Sequence, residues 1–430
     1  MKTKAYPKYK PSGVEWLGDV PEHWEVKKLK QTMSLITNKS TKETQNVALE
    51  NIESWSGKYI PSDTEFDGDG VTFQVGDILF GKLRPYLAKA YLAEFPGAAV
   101  GDFHVMRPTT THLHGRYVLY LILNKGVISL IDGSTFGAKM PRVNWEFMAN
   151  IPIPLPPLLE QQAIAAFLDH ETGRIDALIS KKKKLLSLLA EQRTALISRA
   201  VTKGLNPSVK LKPSGVEWLG DVPEEWEALP LKRIVAIPVT DGPHETPEIL
   251  DEGIPFVSAE AIRSNKIDFT RKRGFISESE HRRFCLKYHP KRNDIYMIKS
   301  GATTGNLAIV ETDEEFSIWS PLAVIRVHKK KADAQFVLAA MNSEEFQTSV
   351  QLFWSFGTQQ NIGMNVIENL PVPLPPLPEQ QAIAIFLDRE TAKIDALSAK
   401  VLTAIERLKE YRTALISAAV TGKIDVRDAV

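Results

Sequence analysis

LPPLLEQQAIAAFLDHETGRIDAL, Leu155 to Leu178, is written a second time as LPPLPEQQAIAIFLDRETAKIDAL, Leu374 to Leu397, 219 residues later. No proline occurs from Leu158 to Lys203, while Pro157 stands just before that run and Pro207 just after it. Prolines at both ends and none inside punctuate a helix. Steps of four and three residues from Ile164 meet Leu168, Ile175, Leu178, Leu185, Leu189 and Leu196, with Glu171, Lys182 and Gln192 as the polar exceptions. The same ruler in the second copy meets Ile383, Leu387, Ile394, Leu397, Val401, Leu408 and Leu415, and only Glu390 is charged. This is a heptad seam, present twice. A helix over 158–203 is about 69 Å long, more than one domain's surface accommodates. Its expected partner is its own repeat over 377–422, in an antiparallel coiled coil.

A second duplicated phrase opens each half. KPSGVEWLGDVPE runs from Lys10 to Glu22 and returns unchanged from Lys212 to Glu224, an offset of 202. Because the two offsets differ, the blocks between the phrases differ in length as well as in sequence. The chain is a tandem duplication with a fixed frame and variable inserts, a pseudo-twofold plan that uses one mounting twice for two binding faces. Trp16, Trp24, Trp218 and Trp226 belong to the repeated phrase, and identical residues beside dissimilar inserts are expected to be packing anchors. The inserts carry short apolar runs cut by Gly, Pro, Asn and Asp, such as VTFQVGDILFG, AAVGDFHVMRP, NDIYMIKSG and SPLAVIRVH, followed by helical stretches GRYVLYLILN and ADAQFVLAAMN. Each insert therefore reads as an α+β domain. The expected division is 1–152 for the opening phrase and first domain, 153–205 for the first long helix, 206–371 for the second domain and 372–430 for the second helix.

The 430 residues are 43% hydrophobic and carry 53 Lys and Arg against 52 Asp and Glu. That balance excludes a polybasic coat, so contact with nucleic acid has to come from local patches. One basic stretch, Lys266 to Arg292, holds nine cations and three carboxylates. The single cysteine, Cys285, excludes an internal disulfide and any CxxC metal or redox motif. The basic, apolar-poor start and the lack of a long apolar run predict a cytoplasmic protein without a membrane span.

No phosphate loop, dinucleotide fingerprint, HExxH or zinc spacing is present, nor the Asp/Asn-Pro-Pro-aromatic tetrapeptide with which amino-methyltransferases hold a base. His112 and His114, without a third ligand nearby, read as loop residues, and no metal site is expected. What remains are polar loops suited to reading DNA. In the first insert FGKLRPYLAK offers Lys82, Arg84 and Tyr86, and GSTFGAKMPRVNWE offers Lys139, Arg142 and Asn144. The second insert offers Thr240 and His244 in TDGPHETP, Lys299, Thr303, Thr304 and Asn306 in KSGATTGN, and Gln359, Gln360 and Asn361 in SFGTQQNIGMN. Arg suits guanine, Asn and Gln suit adenine, and Lys suits phosphate. Two other readings fit the residues alone: a scaffold of two adaptor domains that holds no DNA, and a methyltransferase or nuclease hidden in one insert.

The repeated PSGVEWLGDVPE phrases, the LPPLxEQQAIAxFLDxET phrases that open both helices, and SRAVTKG and SAAVTGK that close them make the chain similar to the specificity subunits of bacterial type I restriction-modification systems. The resemblance covers essentially the whole chain and is weak only in the inserts. It implies two target-recognition domains, each reading half of a bipartite, asymmetric sequence in double-stranded DNA, with paired helices setting the gap between the half-sites. It implies no catalysis and no bound cofactor in this chain. Two methyltransferase subunits would use S-adenosylmethionine to modify adenine, and through them restriction subunits would use ATP and Mg. Lys181 to Lys184 and Arg193 become candidate contacts for the methyltransferase.

Overall fold

A computed structural model describes residues 4–39, 45–62, 70–137, 139–356 and 360–429. They form two compact units, Met1–Lys183 with Leu402–Val430, and Lys184–Val401. Each unit thus holds one insert domain, part of one long helix and the complementary part of the other.

In the first unit four antiparallel strands, β1 (Met33–Ile36), β2 (Ile78–Gly81), β3 (Ala90–Leu92) and β4 (Phe103–Pro108), lie in the order β1-β4-β2-β3. Alternation along β2 sends Ile78 and Phe80 into one core and Leu79 into another, so the strand is buried on both faces and reads as an unbroken apolar run. In the second unit β5 (Thr240–Asp241), β6 (Ile295–Ile298), β7 (Leu307–Ile309) and β8 (Leu322–Ile325) repeat that order as β5-β8-β6-β7. Ile295 and Met297 enter one core there, Tyr296 and Ile298 the other. Both sheets carry the same internal clamp. Asp77, just before β2, takes Arg107 of β4 in two 2.7 Å bonds, and Asp294, just before β6, takes Arg326 after β8 in two more of 2.7 Å.

A smaller three-stranded sheet accompanies each. Gly97–Val100 pairs with Asn46–Val47 in parallel and with Gly70–Phe73 antiparallel. In the second insert Ile254–Val257 pairs with Ser317–Ile318 in parallel and with Gly274–Ile276 antiparallel. The third strand therefore joins opposite edges in the two domains. GRYVLYLI and AQFVLAAM are helices, Gly115–Ile122 and Ala334–Met341.

The frame is duplicated down to single hydrogen bonds. Glu25–Lys28 pairs with Pro152–Leu155, and Glu227–Pro230 with Pro371–Leu374. Trp24 and Trp226 are fully buried, and their indole nitrogens donate to Glu160 at 3.0 Å and Glu379 at 3.1 Å, one turn into the long helices. Gln161 and Gln380, both wholly buried, tie those turns to the inserts. The Gln161 side chain accepts from His114 N at 2.9 Å and donates to His112 O and Pro156 O. That of Gln380 accepts from Asp333 N at 2.8 Å and donates to Lys331 O and Pro375 O. Three backbone groups rest on each amide, so Gln161→Leu or Gln380→Leu should each cost about 2 kcal/mol. Denaturant titration checks this, and a loss under about 0.5 kcal/mol would count against it.

The first long helix is Leu158–Lys203 and the second Leu377–Val420, two residues short of the expected end. Each stops against the opening phrase of a half. Gly204 and Gly422 take left-handed φ of 75° and 72° beside Trp226 and Trp24 respectively, and an added Cβ would strike Pro21 at Gly422 and press on Glu379 and Trp226 at Gly204. The helices run antiparallel within each unit. In the first, the Tyr117 hydroxyl reaches both Pro154 O and Val420 O, while Arg412 Nε donates to Asp176 Oδ1 at 3.0 Å. In the second, Gly204 abuts Glu379 and Arg193 Nε donates to Asp395 Oδ1 at 3.1 Å.

Ile164, Leu168, Ile175, Leu189, Ile383, Leu387, Val401 and Leu415 are buried, and Leu196, Ile394 and Leu408 half-buried. Leu178, Leu185 and Leu397 correct the expected seam, being 45%, 39% and 45% exposed. A helix of 3.6 residues per turn drifts about 20° per heptad from a 3.5-residue ruler, so inward positions pass to the following residue. Ile197, Ile405 and Ile416, each one beyond a ruler position, are buried accordingly.

Candidate nucleic-acid interface

The β2 and β6 strands are each followed directly by a lysine, Lys82 and Lys299, five residues after the clamp aspartates Asp77 and Asp294. In each domain the next loop is held to the last loop of the insert by the same bond. Val143 N donates to Lys82 O at 3.1 Å, and Ile362 N to Lys299 O at 2.9 Å. Arg84 N further donates to Pro141 O, and Gly301 N to Gln360 O. Candidate loops far apart in sequence are thereby brought together, two in the first insert and three in the second, where Asp241 adds the TDGPHETP stretch.

In the first cluster Asp102 lies opposite Lys82 and gathers its cations. Arg142 donates through Nε at 3.1 Å and Nη2 at 2.9 Å, and Lys82 Nζ is 3.7 Å away. The Arg142 hydrogen bond holds the Asp102 carboxyl below the usual carboxylate range, against a smaller opposing effect of burial, with Lys82 adding to the lowering. Arg84 and Tyr86 are exposed on a short turn, Pro85–Leu87, flanked by left-handed Arg84 at φ 50° and Ala88 at φ 46°. Non-glycine residues held so are strained, a feature that gathers at binding loops. Lys139 is exposed. Asn144 is exposed and its Oδ1 also caps the helix Trp145–Ala149, accepting from Phe147 N at 2.8 Å. His104 is buried beneath the cluster, and burial pushes its imidazole down.

In the second cluster Asp241, with no exposed side-chain surface, faces Lys287 Nζ at 2.5 Å, His244 Nε2 at 3.0 Å and Lys299 Nζ at 3.2 Å. Burial pushes this carboxyl up, and Lys287 with Lys299 outweighs it, leaving the group below its ordinary value. A cavity of about 410 Å³ opens beside it, lined in part by His244, Glu245, Arg283 and Phe284. Thr303, Asn306 and Asn361 are exposed, Thr240, Thr304 and Gln360 half-buried. The Thr304 hydroxyl is engaged by Gly301 O at 2.7 Å. Gln359 lies outside the described residues.

The basic stretch 266–292 is largely neutralised by acids, several of them outside it. Lys266 meets Glu311, Arg283 meets Glu245, Arg292 meets Asp313, and Arg271 and Arg282 meet Asp268 and Glu278 within it. Arg273 lies 4.0 Å over the Trp319 ring. A count along the sequence cannot see such partners. It also missed Asp102 and Asp241, and it counted Lys287 without placing it at a site, although the shared Asp-Ile-x-x-x-Lys of residues 77–82 and 294–299 aligns the two sites. Among the described residues no group of three His, Cys, Asp or Glu side chains is placed to hold a metal ion, and no helix is long and apolar enough to cross a membrane.

Two equivalent polar loop clusters on a duplicated helical frame define a protein with two sequence-reading modules. Comparison with known proteins agrees. The model of the type I restriction modification DNA specificity domain matches residues 21–187 and again 223–407. The type I restriction enzyme MjaVIII specificity subunit of Methanocaldococcus jannaschii is 25% identical over 429 residues, with 95% of each chain covered. In fold the chain is similar to one solved in work on complex assembly and conformational transition of the type I R-M system, with a TM-score of 0.73 and 18% identity over 93% of this chain and 98% of that one. It is also similar to the HsdS subunit from Thermoanaerobacter tengcongensis, with a TM-score of 0.52 and 17% identity over 94% and 98%. The chain belongs to the type I restriction-modification DNA specificity family.

Proposed function

We propose that this chain reads a bipartite, asymmetric duplex target for a methyltransferase and nuclease assembly and performs no covalent step itself. The first insert reads one half-site through Lys82, Arg84, Tyr86, Lys139 and Arg142. The second reads the other through the loops around Lys299 and Gln360. The observation that carries this reading is that both inserts, dissimilar in sequence, close the same loops around the same strand-end lysine with the same hydrogen bond. Two short readings on one chain act as a single tight one, because the second contact is effectively intramolecular.

The long helices are the docking surface for two methyltransferase subunits, which modify adenine with S-adenosylmethionine, and through them for restriction subunits that use ATP and Mg. No residue of this chain is assigned to any of those cofactors. Arg193 and Arg412 are spent on the helix pair, which leaves Lys181 to Lys183 and exposed Leu178 in the first unit, and Lys184 and exposed Leu397 in the second, for those partners. The work is done in the cytoplasm, where the DNA is.

Modified-base sequencing of DNA from cells expressing this chain with its methyltransferase should show one bipartite adenine-methylated motif that disappears when this chain is omitted. An assembled complex that produces no such motif would contradict the proposal.

A further inference from the structure

A carboxylate is an odd group to find at the centre of a surface meant for phosphates, yet both inserts place one there. The duplication alone does not account for it. The backbone N–H of Lys82 donates to Asp102 O at 2.8 Å, and that of Lys299 donates to Pro321 O at the same distance. Pro321 therefore stands in the second insert where Asp102 stands in the first. The second carboxylate comes instead from β5, where Asp241 pairs with Ala323 one strand away. Two different backbone positions thus deliver an acid to the equivalent lysine. Asp241 is also costly to bury, and only its cations offset that cost.

We propose that Asp102 and Asp241 are positioning residues that hold the reading cations in closed ion pairs off target and release them only to a matching half-site. The proposal rests on the reading of the inserts as DNA-recognition domains. Arg142 with Lys82, and Lys287 with Lys299, are screened from random duplex by their aspartate. A correct half-site supplies phosphate and base acceptors that replace the carboxylate, and a wrong one leaves the pair shut. The acid thus acts against the wrong sequence, which is how selectivity exceeds what attraction alone provides.

The test uses Asp102→Asn and Asp241→Asn in the complete complex with its methyltransferase, with binding to target and random duplexes measured over a salt series. Each variant removes one negative charge from its cluster, a net gain of one positive charge facing the duplex. The log-log salt slope on random duplex should steepen by about 0.9, which at 0.1 M salt is about eightfold tighter binding. The methylated motif should loosen only in the first half-site for Asp102→Asn and only in the second for Asp241→Asn. A purely structural role would weaken binding and leave that slope unchanged, so an unchanged or shallower slope in a variant that melts normally overturns the proposal. If Asp241→Asn does not fold, Lys299→Met is read in its place. Its slope should fall by about 0.9 on target duplex and stay the same on random duplex, from which the closed pair already screens the lysine, and a slope that falls equally on both overturns the proposal. A wild-type complex that prefers no duplex sequence sinks the DNA-reading function itself. A selective wild type with unaltered variants sinks the carboxylate proposal alone.

Discussion

Arg142→Ala is expected to erase discrimination in the first half of the target and to leave the second half untouched. Arg142 is the one candidate in the first insert whose guanidinium is already held flat and forked by a carboxylate, in the geometry that reads guanine bidentately. It also pairs through its backbone with Phe136, and its neighbour Val143 is bonded to Lys82, so its Cα is fixed on both sides. Losing one such contact weakens target binding about ten- to a hundredfold. The converse variant, Gln360→Ala, should alter only the second half. Methylated-motif sequencing of both variants decides it. A change on the wrong side of the gap, or on both sides, would show that the assignment of inserts to half-sites is mistaken.

Glu160→Ala should be the most damaging single change in the frame. Glu160 is 5% exposed and takes the Tyr6 hydroxyl at 2.5 Å, the Trp24 indole at 3.0 Å and the His23 ring at 2.8 Å. Burial and Glu160 together push the Tyr6 phenol well up, so it stays a donor at any working pH. Alanine would strand two buried donors, at a cost of about 3 kcal/mol and about 8 °C in the melting midpoint of the first unit. Glu379, its counterpart, is half-buried and is bonded to Trp226 at 3.1 Å. Glu379→Ala should cost about 1 kcal/mol. Calorimetry of the two variants separates these values, and equal losses would mean that the Tyr6 arm contributes nothing.

The frame was legible because it is repeated. Two copies of one phrase reveal which positions do common work, and the long helices and the buried Trp24 and Trp226 follow from that comparison together with proline punctuation. The α+β character of the inserts was legible in apolar runs such as ILFG and IYMI, which fill strands buried on both faces. The candidate loops were legible as loops, but their convergence was not, since it depends on single backbone bonds between residues about sixty apart, such as Val143 to Lys82. The acids that tune them escaped for a related reason. Asp102 and Asp241 acquire their roles from cations 40 and 46 residues away in sequence, Arg142 and Lys287. Asn144 reads as an adenine partner because its chemistry fits, and its position at a helix start gives the same oxygen a cap bond that the sequence does not announce.

Arg412 of the second repeat grips Asp176 of the first, and Arg193 of the first grips Asp395 of the second. Both pairs draw each member from phrases that occur twice in the chain, an aspartate from IDAL and an arginine from RTALIS, which stands at 193–198 and again at 412–417, one from either copy. The first insert adds to one pair without replacing either member, Lys58 donating to Asp176 at 2.7 Å and Arg412 donating to Trp55 O at 2.9 Å. The two members of each fastening are therefore written in the repeated frame, and exchanging an insert leaves both of them in place. Half of what the chain recognises can change while the joint between its halves stays the same.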